Sequence, residues 1–239
     1  MIDIGNTRTK LGCFSAGKLQ ETAASPAYSL AEMKHWASRY SISDIIVSSV
    51  ATPDEGLMNG LRDLFPVLEM TSEVDLPFIN TYTTPHTLGK DRLAAVAGAQ
   101  ALFPATDCLV IDGGTCLKYE VLTADGRYLG GNISPGLRMR SKAMHHFTAR
   151  LPEVDLGLPD NPIGDSTLTA LQNGAFLGAI LEVKGFVQLL EQHLKQPLQV
   201  IYTGGDAPFL NKYLSFKNQV VEENLTLIGL NEILIKNKK

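Results

Sequence analysis

Two short segments, separated by roughly a hundred residues, restrict what this chain can fold into more than any other feature. The first is Ile2-Asp3-Ile4-Gly5-Asn6-Thr7, followed by Arg8 to Phe14; the second is Leu109-Val110-Ile111-Asp112-Gly113-Gly114-Thr115, followed by Cys116 to Leu122. Each reads as a strand, an Asp-x-Gly turn, a threonine and a second strand. One such turn says little, because Asp and Gly form turns in any context. Two of them, each heading a similar length of chain, point to a duplicated architecture. A boundary near residue 105 gives two similar halves, 1–105 and 106–239, and the cleft between such halves is a favoured ligand site.

The remaining pattern agrees with α/β halves, since short apolar runs alternate with amphipathic helical stretches. Ser29-Leu30-Ala31-Glu32 carries a capping-box signature and opens a helix predicted to reach about Tyr40. Asp44 to Val50 is predicted as a β-branched strand, and Asp91 to Phe103 as an alanine-rich helix ended by Pro104. An irregular Pro- and Gly-rich stretch over about 150–164 precedes a long helix from about Asp165 to Leu194. Gly174, Gly178 and Gly185 lower its helix propensity. Close packing on another helix or a second subunit explains them, as does a kink.

Composition excludes several classes of function. Hydrophobic residues at 44%, charged residues at 19% and a net charge of −4 are the balance of a folded chain, not a disordered one. There is no basic stripe, so nucleic acid is not an expected partner. Cys13, Cys108 and Cys116 lie in apolar, strand-like stretches without metal-ligand spacing and read as buried thiols of a reducing compartment. No signal peptide and no apolar run of bilayer-spanning length is legible, which points to the cytosol and away from a membrane. His145 and His146 are adjacent and diverge on a helix, unlike a metal pair, and Trp36 reads as a core residue.

The Asp-x-Gly turns suit polyphosphate. Glycine lets the backbone approach closely and aim N–H groups at oxygens, and Asn6 and Thr7 add side-chain donors. Lys10 can return over the site as a point charge. Asp3 would repel phosphate directly, so its fitting task is to hold a hydrated magnesium ion. Val200-Ile201-Tyr202-Thr203-Gly204-Gly205-Asp206 is a third glycine turn after an apolar strand, able to flank a ribose and base.

In chain order, the motifs are Asp3-Ile4-Gly5-Asn6-Thr7, Gly89-Lys90-Asp91-Arg92, Ile111-Asp112-Gly113-Gly114-Thr115, Gly130-Gly131-Asn132-Ile133-Ser134-Pro135-Gly136, Gly164-Asp165-Ser166-Thr167 and Thr203-Gly204-Gly205. Together they resemble the type III pantothenate kinases, within the superfamily of sugar kinases, actin and heat-shock ATPases. The resemblance spans nearly the whole chain. It implies an α/β fold of two similar actin-like, ribonuclease H-like halves with a nucleotide cleft between them. It also implies phosphorylation of pantothenate with ATP on its primary hydroxyl, the first step of coenzyme A biosynthesis; the lack of a signal peptide and the glycines of the long helix add the expectation of a cytoplasmic homodimer. On that resemblance, Asp3, Ile4, Gly5, Asn6, Thr7, Arg8, Thr9 and Lys10 line the ATP phosphates, with Thr115 contacting them from the other half. Asp91 is then the general base, and Tyr82, Gly89, Lys90, Asp91, Arg92 and Thr167 bind pantothenate. Asp112 holds the monovalent cation, K+ or NH4+, that the family uses beside Mg2+. The segment Gly130 to Gly136 is expected to be structural, with Pro135 in the first turn of a helix and Ser134 as its cap.

Members of that family usually carry several apolar residues ahead of the first turn, whereas only Met1 and Ile2 precede Asp3 here, so either the first strand is shortened or the sequence begins inside the natural one. Two other readings compete. One is a kinase of another small hydroxylated metabolite, against which the Gly89-to-Arg92 and Thr167 matches weigh. The other is a non-catalytic ATP-binding regulator, which would have no need of a base at Asp91.

Overall fold

The computed structural model describes residues 1–50 and 54–238. It resolves into two compact units, and their composition follows the chain only in part. Unit 1 comprises Met1–Ala105, Leu122–Leu129 and the C-terminal segment from Asn224; unit 2 comprises Thr106–Val121 and Gly130–Glu223.

Unit 1 is built on a five-stranded sheet of β1 (Ile2–Ile4), β2 (Thr9–Ser15), β3 (Lys18–Ser25), β4 (Ile45–Ser49) and β5 (Val67–Glu69) in the order β3-β2-β1-β4-β5. The pairs β1–β2 and β2–β3 are antiparallel, while β1–β4 and β4–β5 are parallel. Strand β1 spans only three residues. Helix α1 (Leu30–Ala37) opens with the predicted capping box: Ser29 Oγ accepts from Glu32 N–H, and Glu32 accepts from Ser29 N–H at 2.8 Å. Helices α1 and α2 (Glu55–Arg62) bury Met33, Met58 and Leu61 in one core with Ile2, Leu11, Ile45 and Val47.

The alanine-rich α3 (Lys90–Leu102) is buried on nearly every side from Arg92 to Ala99. Its partner is the C-terminal α8 (Leu225–Asn237). The two backbones touch where Gly229 meets Ala94 O, a spot that any Cβ on residue 229 would overlap. Small residues thus set how closely the helices approach. The short β6 (Ile79–Asn80) pairs in parallel with Arg127 and Tyr128.

Unit 2 repeats the plan. Strands β7 (Cys108–Gly113), β8 (Cys116–Leu122), β9 (Arg127–Pro135), β10 (Gln199–Thr203) and β11 (Gln219–Val221) stand in the order β9-β8-β7-β10-β11, with β7–β10 and β10–β11 parallel. This is the same order as β3-β2-β1-β4-β5, so the paired turns of the sequence head two copies of one topology. The outer ends of β8 and β9 are the part grouped with unit 1.

Around that sheet stand α4 (Leu137–His146), α5 (Thr167–Gln172), α6 (Gly178–Leu194) and α7 (Ala207–Tyr213). A π-helical stretch, Asn173–Leu177, joins α5 to α6, so Gly174 lies inside a π-bulge and not in a sharp break. The continuous helix Thr167–Leu194 is long and apolar enough to cross a bilayer by length and composition alone, which the sequence reading did not foresee. Here its Leu171, Ala175, Phe176, Ala179, Ile180, Val183 and Val187 lie in the core of unit 2 with Leu109, Ile111, Tyr119 and Tyr202.

Candidate active site

In unit 1 the first turn links β1 to β2. Gly5 N–H donates to Arg8 O at 3.1 Å and closes the turn, leaving the side chains of Asn6, Thr7 and Arg8 exposed at its tip. Ile4 and Thr9 face each other where the ladder begins, with Thr9 buried and Ile4 half-buried. Asp3 and Lys10 are the next pair across the same ladder, which sets opposite charges on one face of the sheet.

The second group of unit 1 gathers at the start of α3. Gly89 is the N-cap, Lys90 the first helical residue and Asp91 the second. Asp91 Oδ1 accepts from Arg92 N–H at 2.9 Å, and a Cβ on Gly89 would come within 2.6 Å of that oxygen. The carboxylate therefore lies back over the helix N-terminus, where the macrodipole favours its charge. Arg92 is buried, with its guanidinium carbon 5.5 Å above the Tyr82 ring. Tyr82 in turn stacks on Tyr128 at 6.3 Å and 14°. The structure thus brings together Tyr82, Gly89, Lys90, Asp91 and Arg92. A cavity of about 420 Å³ elsewhere in unit 1, lined by Cys13, Phe14, Met33, Trp36 and Leu234, includes none of the expected site residues.

In unit 2 the second turn follows β7. Gly114 N–H donates to Cys116 O at 3.0 Å, and Gly114 and Thr115 are exposed at the tip. Next to it, β10 ends beside Asp112, since Thr203 and Asp112 are partners in the parallel register. Gly204 then turns away at φ +83°, a conformation that suits glycine, and any Cβ there would overlap Asp112 Oδ1 and Gly113 O. Asp206 N–H donates to Gly113 O at 2.9 Å, which ties the two turns together. Both lie at the carboxyl ends of parallel strands, where α/β sheets take ligands. Thr167, in unit 2, is exposed at the first position of α5 behind its Ser166 cap.

The electrostatics around the second turn hold features the sequence reading missed. Asp112 Oδ2 lies 2.5 Å from Lys118 Nζ of β8, so the residue expected to hold a monovalent cation already carries an ion pair. Burial pushes the Asp206 carboxyl above its ordinary range; Arg138 opposes this from 3.6 Å, and the charge of Asp112 adds to it. Lys118 left one sequence signal, a charge between Leu117 and Tyr119 in a mostly apolar strand whose other charge is Glu120.

The segment Gly130 to Gly136 also departs from expectation. Pro135 ends β9 and Gly136 caps α4, so Ser134 caps nothing. Its Oγ donates instead to Glu182 Oε1 at 2.5 Å, and the same oxygen accepts from Tyr119 OH at 2.7 Å. Arg140 Nη2 donates to Glu182 Oε2 at 2.5 Å and Arg140 Nε to Pro135 O at 2.9 Å. Glu182 of α6 therefore fastens β8, β9 and α4 to one carboxylate. The fastening bears on the phosphate-type turn, because Gly136 N–H donates to Thr115 O at 3.2 Å and a Cβ on Gly136 would overlap Gly114 O. Burial pushes the Glu182 carboxyl up, but its bonds from Ser134, Arg140 and Tyr119 outweigh this and hold it below the ordinary range.

No group of three or more His, Cys, Asp or Glu side chains placed to hold a metal exists among the described residues. His145 Nδ1 faces Leu151 O at 2.6 Å, a local contact. Cys13, Cys108 and Cys116 are free thiols, and burial drives Cys108 up to about 12.

A family model described as type III pantothenate kinase matches residues 1–189. The chain is 41% identical over 241 residues to a type III pantothenate kinase of Phocaeicola vulgatus, with 100% of this chain and 98% of the relative covered. It is 40% identical over 241 residues to one of Christiangramia forsetii, with the same coverage. Among solved structures, a candidate 2-dehydro-3-deoxygalactonokinase from Sinorhizobium meliloti superposes with a TM-score of 0.59 at 15% identity, covering 97% of this chain and 96% of that one. A conserved Campylobacter jejuni protein assigned to the Baf family of transcriptional activators gives 0.62 at 22% identity, covering 99% and 97%. At such identities these two speak for fold alone, and the fold they and their neighbours share is that of the actin-like sugar kinases. Matched by the family model over most of its length and by relatives over all of it, the chain belongs to the type III pantothenate kinase family.

Proposed function

We propose that the protein transfers the γ-phosphoryl group of ATP to the primary hydroxyl of pantothenate, giving 4'-phosphopantothenate and ADP at the head of coenzyme A biosynthesis. The observation that carries this reading is the start of α3. A carboxylate and a guanidinium stand side by side there, Asp91 held over Gly89 and Arg92 packed on Tyr82, in a chain whose full-length relatives bear that activity's name.

Phosphoryl transfer needs positioning and charge neutralisation more than covalent help from the protein. The alcohol oxygen attacks the γ-phosphorus while the bond from that phosphorus to the β,γ-bridging oxygen breaks, and ADP departs with the electron pair. Asp91 accepts the hydroxyl proton. Arg92 binds the pantothenate carboxylate through two parallel hydrogen bonds, a fit that guanidinium geometry favours. Tyr82, Gly89, Lys90 and Thr167 complete the substrate contacts. The residues from Asp3 to Lys10, with Thr115, contact the ATP phosphates, for which the exposed tips of both turns are suited.

Magnesium is usually held by one or two carboxylates together with phosphate oxygens and water. Asp3, at the head of the first turn, provides such a carboxylate, and the ion would supply charge neutralisation on the phosphates. A bound K+ or NH4+ fits less well, because the Asp112 oxygen that would receive it faces Lys118. The protein acts as a cytoplasmic homodimer, a reading supported by its three free thiols and by the outward face of α6. On that face Leu181 and Leu189 are 56% and 59% exposed, and the space beside Gly185 is open.

A coupled ADP-release assay over a panel of small hydroxylated metabolites tests the proposal. Release that requires pantothenate is the expected result. Release with a sugar or another hydroxy acid, and none with pantothenate, would reassign the substrate.

A further inference from the structure

Lys118 lies in unit 2 on β8, across the turn from Asp112, and its ammonium is 2.5 Å from Asp112 Oδ2. Both side chains are largely sheltered, at 18% and 20% exposure. The other carboxylate oxygen, Oδ1, is packed against Gly204, where no side chain would fit. Asp112 therefore already has a monovalent cation at its open oxygen, one that is tethered to the sheet. A potassium ion coming to the same oxygen would meet a like charge at close range, where partial burial weakens solvent screening.

The surroundings explain why a cation is needed at all. Asp112 and the buried Asp206 form a carboxylate pair at the ends of β7 and β10, beside the Gly113–Thr115 turn. Left unbalanced, that pair would repel an incoming polyphosphate. Arg138 approaches Asp206 but is itself 72% exposed, so its charge is well screened by solvent. The sheltered positive charge at Asp112 is that of Lys118.

We infer that Lys118 is a built-in monovalent cation: its ammonium does at Asp112 what a bound K+ or NH4+ would do, and the enzyme works without either ion. The inference rests on the proposed role of the second turn in holding ATP phosphates. Lys118 is thereby a positioning residue that acts through Asp112 and the turn.

The test compares NaCl, KCl and NH4Cl at equal ionic strength, for the wild-type chain and for Lys118→Met, which keeps the stem and removes the charge. Two readouts are taken: ATP affinity by calorimetry, and pantothenate-dependent ADP release. Wild type is expected to give the same values in all three salts. Lys118→Met in NaCl should lose at least about tenfold in affinity or turnover, the scale of removing one partner from a sheltered charge pair. KCl or NH4Cl should restore it in a saturable way. Wild-type affinity or turnover that rises with K+ overturns the inference, as does a folded Lys118→Met that is indifferent to all three salts. If Lys118→Met does not fold, the wild-type comparison decides alone. If ATP binding behaves as expected and pantothenate releases no ADP, the substrate assignment fails while Lys118 keeps its role.

Discussion

Asp91 and Arg92 show how far single residues can be read. Locally the pair is an acidic first turn with an arginine behind it, a pattern that many helix starts share. What distinguishes it in the structure is direction, with the carboxylate over Gly89 and the guanidinium on Tyr82. Asp91→Asn keeps the shape and removes the base, so turnover should fall by about 10²–10⁴-fold, the usual reach of positioned acid–base help, while ATP binding measured by calorimetry stays the same. Near-normal turnover in that variant would take the proton-accepting role away from Asp91. Arg92→Lys keeps the charge but loses the planar fork. It should raise KM for pantothenate and leave KM for ATP unchanged in steady-state kinetics. The residues that the sequence hid are those whose partners lie far along the chain. Ser134 has the right position to cap a helix, yet its hydroxyl goes to Glu182, 48 residues on. Lys118 becomes meaningful only once the turn at Gly113–Thr115 places it opposite Asp112.

Elements were legible where their signals are local. The Ser29 capping box, the β-branched β4 and the alanine-rich α3 formed within a residue or two of expectation, because propensity and caps act over a single turn. The π-bulge at Asn173–Leu177 and the end of β9 at Pro135 were not, since tertiary packing decides both. Glu182 makes the packing of α6 on β8, β9 and α4 depend on pH. Its folded carboxyl titrates below its unfolded value, so its stabilisation is present above the ordinary carboxylate range and is lost as pH falls through the folded value. Melting temperature followed over the acid range should therefore drop more steeply for wild type than for Glu182→Gln; parallel curves would contradict this. Between α3 and α8 the test is steric. Gly229→Ala forces a methyl group onto Ala94 O and should destabilise unit 1 by about 1–3 kcal/mol, read as a lowered denaturation midpoint.

At the scale of the molecule, the repeat seen in the first seven residues and again from Leu109 is a repeat of topology: five strands stand in one order in both sheets, and the second sheet adds β6 beside β9. Its turns could be found by eye because Asp and Gly are local turn formers that stand at the strand ends of both halves. The interleaving of the units left no such mark: nothing in the composition of α8 says that a helix so late in the chain packs on α3. Assembly is tested on the exposed face of α6. Leu181→Glu with Leu189→Glu should convert a dimer to a monomer in light scattering, and a dimer that survives both would move the interface elsewhere. The measurement that reaches the centre of the account is phosphorus NMR of a reaction containing the protein, ATP and pantothenate. One new phosphate monoester on the primary alcohol, formed one-for-one with ADP and about 10²–10⁴-fold more slowly with Asp91→Asn, is the expected result. ADP appearing with inorganic phosphate and no ester, or the ester forming equally well without Asp91, would contradict it.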